Sequence, residues 1–254
     1  MPSQFVWYEL LTPDCEASKA FYGAILGWTV SKPDMGPEME YYIANMGETP
    51  VSGMMPLSPD MAAMGARPGW IGYVGVDDVD AKAAEAAEQG GTIYRPPADI
   101  PEVGRFAVMG DVGGAGFILF KGASDAAPEP PPMGTPGFVG WRELQAADGV
   151  AAFDFYSKLF GWTKDQTMDM GPMGVYQLFA AGGEAIGGMM TKPPSAPAPM
   201  WLYYFTVPSI EAGAEAVKAQ GGQVINGPME VPGGAWVLQA LDPQGALFAL
   251  TGHK

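Results

Sequence analysis

A tryptophan and a glutamate recur two residues apart, as Trp7 and Glu9 and again as Trp141 and Glu143. On a β-strand, residues two apart share a face, so each pair sets an indole beside a carboxylate. A carboxylate among aromatic groups is costly to desolvate, and its pKa should rise unless a cation or several donors pair with it. Such a group could serve as general base for a proton next to a carbonyl. It could equally orient a ligand, or hold only structural bonds to backbone amides or a buried Arg or Tyr. The residue types leave these three roles open. Tyr73, Tyr204, Met54 and Met189 could add an aromatic and thioether lining suited to a flat, greasy ligand. Ordinary core filling is the competing role for all four.

Other reactive groups are sparse. Cys15 falls in a first helical turn, where the helix dipole lowers a thiol pKa. The matching position in the second half of the chain is Gly149, and no histidine is at hand to activate the thiol. The single histidine, His253, stands next to the C-terminal residue, where chains fray. The glycines between 113 and 116 lack the strand–GxGxxG–helix context of a dinucleotide site.

The elements that must position these groups are themselves duplicated. Residues 7–28 read WYELLTPDCEASKAFYGAILGW and residues 141–162 read WRELQAADGVAAFDFYSKLFGW. Trp7, Glu9, Leu10, Asp14, Phe21, Tyr22, Leu26, Gly27 and Trp28 return, 134 residues on, as Trp141, Glu143, Leu144, Asp148, Phe155, Tyr156, Phe160, Gly161 and Trp162. Met35-Gly36-Pro37 returns at 170–172, Gly53-Met54-Met55 at 188–190, Gly90-Gly91 at 221–222 and Asp111 at Asp242. A repeat this long is a duplicated domain rather than a solenoid of short units. Residues 122–137, GASDAAPEPPPMGTPG, read as a semi-rigid linker. Shorter Pro-rich breaks at 56–68 and 191–199 divide each copy again.

Each half-copy reads as strand, helix, then three strands. The first strands are expected at 5–11, 70–76, 138–145 and 201–207. Asp14 and Asp148 suit helix N-caps, and Gly27 and Gly161 suit the left-handed position after the last turn. Another helix is expected from Asp78 to Gln89, and a fourth after the cap Ser209. Three short strands follow each helix. The order is βαβββ, four times, in an α+β fold.

This order, with its "D…FY…LGW" helix and a hairpin ending near "GGM", resembles the vicinal oxygen chelate superfamily, which holds glyoxalases, extradiol dioxygenases and bleomycin-resistance proteins. The resemblance covers nearly the whole chain and implies two half-barrel domains, 1–121 and 138–254, each with a ligand bowl. Family enzymes hold a divalent metal there on His and Glu of the first and last strands. The corresponding positions here are Trp7, Trp141, about Ile71 and Leu202, Ile118 and Ala249, and none can coordinate a cation. Tyr73 and Tyr204 lie two positions beyond two of these slots, on the same face. The resemblance therefore implies a small-molecule-binding protein with no metal or other cofactor. The alternative is a metal-free isomerase or lyase using Glu9 or Glu143 as base; a metal-dependent glyoxalase or dioxygenase with relocated ligands is a third reading.

Composition narrows the partners. With a net charge of −15 the surface repels nucleic acid and anionic lipid. One cysteine allows no internal disulfide and fits a reducing cytoplasm. The N-terminal stretch lacks the basic and apolar regions of a signal peptide, and no apolar run reaches the ~18 residues of a membrane helix.

Overall fold

The computed structural model describes residues 2–34, 36, 40–124 and 131–254. Met35 and Pro37 of the repeated triplet, and linker residues 125–130, lie outside the described residues. The first copy runs β1 (Phe5–Thr12), α1 (Cys15–Leu26), β2 (Thr29–Ser31), β3 (Tyr42–Met46), β4 (Thr49–Pro56), a short α2 (Pro59–Ala63), β5 (Gly69–Gly75), α3 (Val79–Glu88), β6 (Thr92–Ile100), β7 (Gly104–Gly110) and β8 (Gly116–Gly122). The second runs β9 (Val139–Ala146), α4 (Gly149–Phe160), β10 (Thr163–Asp169), β11 (Val175–Ala180), β12 (Ala185–Thr191), β13 (Met200–Ser209), α5 (Ile210–Ala219), β14 (Gln223–Glu230), β15 (Trp236–Leu241) and β16 (Leu247–His253). Four βαβββ modules are thus present. Two short elements have no counterpart in the sequence reading: α2, opened by Ser58 and Pro59 inside a Pro-rich break, and a one-turn 3-10 helix at Gly171–Met173.

Local chemistry sets the helix ends. Asp14 accepts the Ala17 amide at 2.9 Å, and Asp148 accepts those of Val150 and Ala151. Gly27 and Gly161, at φ 74° and 71°, close α1 and α4 in the left-handed region, where a side chain would be strained. His253 does not fray as expected. It ends β16, paired in register with Ser209, and its side chain is exposed.

The strands form two eight-stranded sheets, ordered β2-β3-β4-β1-β5-β8-β7-β6 and β10-β11-β12-β9-β13-β16-β15-β14. Packing groups the modules differently. One compact unit, called outer because it takes the first and last modules in chain order, holds the described residues within 7–70, 131–141 and 202–254; the other, called inner for the two middle modules, holds those within 2–6, 71–124 and 142–201. Among the described residues no helix is long and apolar enough to cross a membrane.

In the outer unit α1 packs on α5, and Phe21 and Tyr22 meet Phe248 edge-on at 5.7 and 5.4 Å. Fully burying such a ring contributes about 1.5–3 kcal/mol. The buried Tyr22 hydroxyl accepts from Trp70 Nε1 at 3.0 Å and donates to Asp242 Oδ2 at 3.1 Å. Asp242 Oδ1 in turn accepts the amides of Gln244 and Ala246. In the inner unit Trp201 Nε1 donates to Tyr156 at 2.9 Å, and Tyr156 lies close enough to Asp111 to favour its charged form. Asp111 Oδ1 accepts the amides of Gly113 and Ala115. Burial raises both aspartates above the ordinary carboxylate range, against the lowering pull of these amides.

Candidate functional site

In the outer unit the first-strand pair of β1 is assembled as the alternation of a strand dictates. Trp7 Nε1 donates to the Tyr41 hydroxyl at 3.0 Å. That hydroxyl also lies close enough to Glu9 to interact with its carboxylate, so Trp7 and Glu9 lie on one face and share one tyrosine. Glu9 is only 5% exposed. Burial first, then the negative charge of Glu9, pushes the Tyr41 hydroxyl far above its usual range, which keeps it protonated.

A glycine makes this contact possible. β4 runs parallel to β1 with Gly53 beside Glu9. A Cβ at Gly53 would overlap the Tyr41 hydroxyl and come within 3.1 Å of Trp7 Nε1. The tyrosine therefore lies across the bare backbone of position 53 to reach the acid.

The inner unit repeats the device. Gly188 of β12 sits beside Glu143 of β9, and a Cβ there would overlap the Tyr176 ring. The Tyr176 hydroxyl meets Glu143 Oε2 at 3.3 Å. Gln145 Nε2 donates to the other oxygen, Oε1, at 3.1 Å. Glu143, Gln145 and Tyr176 are all half-buried.

The remaining expected residues separate into two groups. In the outer unit Tyr204, Leu202 and Ala249 form a buried cluster with Trp141 packed against it, and Gln239 Nε2 donates to the Tyr204 hydroxyl at 3.1 Å. In the inner unit Tyr73 is buried, paired with Ile118 and edge-on to Phe120 at 5.7 Å. The methionines go elsewhere. Met54 is in register with Leu10, and Met189 with Leu144. Because faces alternate, both point away from Glu9 and Glu143, and both are buried. The expectation that they line a site with the glutamates is corrected on this ground.

Cys15 also departs from expectation. Burial, then the negative charges of Glu40 and Asp14, pushes its thiol up to about 11, overriding the helix dipole. The thiol borders a shallow cleft of about 220 Å³ with Glu40 and Tyr42, while a larger one of about 540 Å³ lies by Lys82, Glu85 and Lys158. Neither is lined by Glu9 or Glu143.

The sequence reading missed Tyr41, Tyr176 and Gln145. A signal for the tyrosines was present. Tyr41 and Tyr176 stand at the same offset as the repeated Met-Gly-Pro and Gly-Met-Met segments on either side of them. Gln145 had no such signal, because its counterpart is Leu11.

Four βαβββ modules in two eight-stranded sheets define the glyoxalase class of fold, and sequence comparison agrees. A profile described as bleomycin resistance protein-like N-terminal matches residues 4–39, and that of the Glyoxalase/Bleomycin resistance protein/Dioxygenase superfamily matches residues 139–250. CFP32 of Mycobacterium tuberculosis, provisionally named a glyoxylase, is 31% identical over 245 residues, covering 96% of this chain and 92% of that protein. DnrV of Streptomyces peucetius, named an anthracycline biosynthesis protein, is 32% identical over 265 residues, covering 98% and 93%. The chain belongs to the Glyoxalase/Bleomycin resistance protein/Dioxygenase superfamily. Among solved structures, the Mn(II)-bound glyoxalase of Novosphingobium aromaticivorans aligns with a TM-score of 0.65 at 17% identity, over 99% of this chain and 81% of that one. A variant of homoprotocatechuate 2,3-dioxygenase from B. fuscum aligns at 0.68 and 15%, over 100% and 72%. These two likenesses concern the fold.

The family's metal positions can be tested against the side chains present. Ile71, Ile118, Leu202 and Ala249 offer no lone pair, and the indoles of Trp7 and Trp141 only donate. Among the described residues no three His, Cys, Asp or Glu side chains converge as a cation requires. This donor set does not fit a divalent metal.

Proposed function

We propose that the protein binds a planar aromatic small molecule through its glutamate–tyrosine pairs, without a metal ion. The observation that carries this reading is the pair itself, built twice across a bare glycine, at Glu9–Tyr41 and Glu143–Tyr176. A carboxylate held by a protonated phenol is a fixed acceptor in apolar surroundings, which orients a ligand's polar edge. Trp7, Trp141, Tyr73 and Tyr204 are the candidates for stacking on the ligand's rings. The name of DnrV, an anthracycline biosynthesis protein, supports a fused aromatic ligand. A single cysteine and an acidic surface favour the cytoplasm as the place of action and disfavour nucleic acid or membrane as partners.

One observation favours a second reading, a metal-free isomerase or lyase. Each pair sets a base beside a protonated hydroxyl, the acid–base couple that enolisation next to a carbonyl uses. Glu9→Gln and Glu143→Gln, assayed for 1,4-dihydroxyanthraquinone binding by tryptophan fluorescence and for solvent deuterium uptake into a carbonyl compound, separate the two. Weakened binding with no exchange in the wild type supports orientation. Exchange that one substitution abolishes, with binding retained, replaces it by catalysis. Failure of the wild type to bind at all removes the first reading.

A further inference from the structure

The duplicated fold carries one row of matching residues across each copy. In the inner unit Tyr73 of β5 is in register with Ile118 of β8, Ile118 with Val108 of β7, and Val108 with Arg95 of β6. In the outer unit, 131 residues on in every case, Tyr204 of β13 is in register with Ala249 of β16, Ala249 with Gln239 of β15, and Gln239 with Asn226 of β14. Both rows end on a residue flanked by register shifts. On β6 they fall between Ile93 and Arg95 and between Arg95 and Ala98; on β14, between Val224 and Asn226 and between Asn226 and Met229. Such irregularities re-aim a side chain. The backbone device is kept in both copies, and the residue it aims is not.

Arg95 is aimed along a line of aromatic rings. Its guanidinium lies 4.7 Å from the centre of the Phe106 ring. Phe106 is in register with Phe120, and Phe120 meets the Tyr73 ring at 5.7 Å. In the outer unit the places of Phe106 and Phe120 are taken by Val237 and Thr251. Stacking fixes the guanidinium plane, and its N–H donors point outward from that plane's edge. Among the described residues no carboxylate or carbonyl takes them; Arg95 is exposed and has only the Phe106 stack. Arg105 on the neighbouring strand is the contrast, held by both Asp80 and Asp99. Acids outnumber Lys and Arg by 28 to 13, so Arg95 does not stand alone for want of acids in the chain.

Resting on the binding reading above, we infer that the aromatic ligand of the inner unit carries a carboxylate, and that Arg95 binds it. The guanidinium donates to both carboxylate oxygens while the ligand's ring lies along Phe120 and Tyr73. The outer unit offers no charge at the matching place. There Asn226 stands 3.5 Å from Gln239, whose amide donates to Tyr204, so the row is a neutral amide chain. The net charge of −15 works against an anion elsewhere on the surface, so selection for one has to come from a local donor.

The test titrates the full chain with anthraquinone-2-carboxylate and with the uncharged, similarly shaped anthraquinone-2-carboxamide, following tryptophan fluorescence. 1,4-Dihydroxyanthraquinone serves as the probe of the binding reading alone. The carboxylate should bind about tenfold more tightly than the carboxamide, the low end for a charge-assisted bond because the guanidinium is exposed. Arg95→Asn, which installs the outer unit's residue, should abolish that preference while leaving carboxamide affinity and Tm where they were. Equal affinity of the wild type for the two probes, a preference that survives Arg95→Asn, or an equal weakening of both probes overturns the assignment. If any of these occurs while 1,4-dihydroxyanthraquinone still saturates the wild type, the binding reading stands without it. Saturable binding of none of the probes overturns both at once.

Discussion

Gly53 is the residue on which the outer-unit site most depends, and replacing it by alanine gives a prediction whose sign reverses with background. In the wild type the new Cβ would overlap the Tyr41 hydroxyl, so the ring must swing off Glu9 and Trp7. That forfeits an interaction with a charged group, about 1.5–3 kcal/mol, and a neutral hydrogen bond, about 1 kcal/mol. Gly53→Ala should therefore destabilise by about 2.5–4 kcal/mol. Once Tyr41→Ala has removed the ring, the closest of the remaining neighbours named for that Cβ is the Trp7 indole at 3.1 Å, a side chain that can yield. There alanine should be neutral, or stabilising by up to about 1 kcal/mol, because glycine in a strand loses more entropy on folding. Urea unfolding of the four proteins, followed by tryptophan fluorescence, measures the cycle. A coupling of roughly 3 kcal/mol is expected. If Gly53→Ala carries the same penalty in both backgrounds, within about 0.5 kcal/mol, the glycine is not there for the tyrosine.

Three further outcomes follow from the units. Tyr22→Phe strands the Trp70 N–H and one oxygen of Asp242 in the outer core, so it should cost about 2–4 kcal/mol and lower Tm by roughly 5–15 °C; a melting point within 1–2 °C of the wild type would refute the network. Asp242 has a folded-state pKa raised by burial, so between the unfolded value near 4 and that raised value the native state holds more protons. Its contribution to stability is lost as pH rises through that window. Wild type should thus lose stability relative to Asp242→Asn as pH rises from about 4, and an unchanging or opposite difference across thermal melts contradicts the assignment. With its thiol near 11, Cys15 is about one part in a thousand thiolate at pH 8, so it should react with a disulfide reagent far more slowly than free cysteine; reaction at the free-thiol rate would show the burial to be wrong.

What the sequence disclosed was local or periodic. Asp14, Gly27 and their second-copy partners cap helices through contacts a few residues long, so their types alone place the ends of α1 and α4. The shared face of Trp7 and Glu9 needs only the alternation of one strand. What it concealed depends on register between distant segments. Met54 was assigned to the wrong face because the pairing of β4 with β1, not the composition of β4, decides where it points. Tyr41 reaches Glu9 across Gly53, a contact among three separate stretches of chain. The Tyr22–Asp242 bond spans 220 positions. The helix-dipole argument for Cys15 failed for a related reason: burial, and Glu40 from a loop outside the helix, outweigh the local field.

Calorimetric titration of chelator-stripped protein with 1,4-dihydroxyanthraquinone, alongside elemental analysis, bears most directly on whether these sheets recognise an aromatic ligand with their own side chains. Saturable heat, of the same affinity before and after stripping, is the predicted result. Heat that vanishes on stripping and returns only with added manganese, iron, nickel or zinc would contradict it.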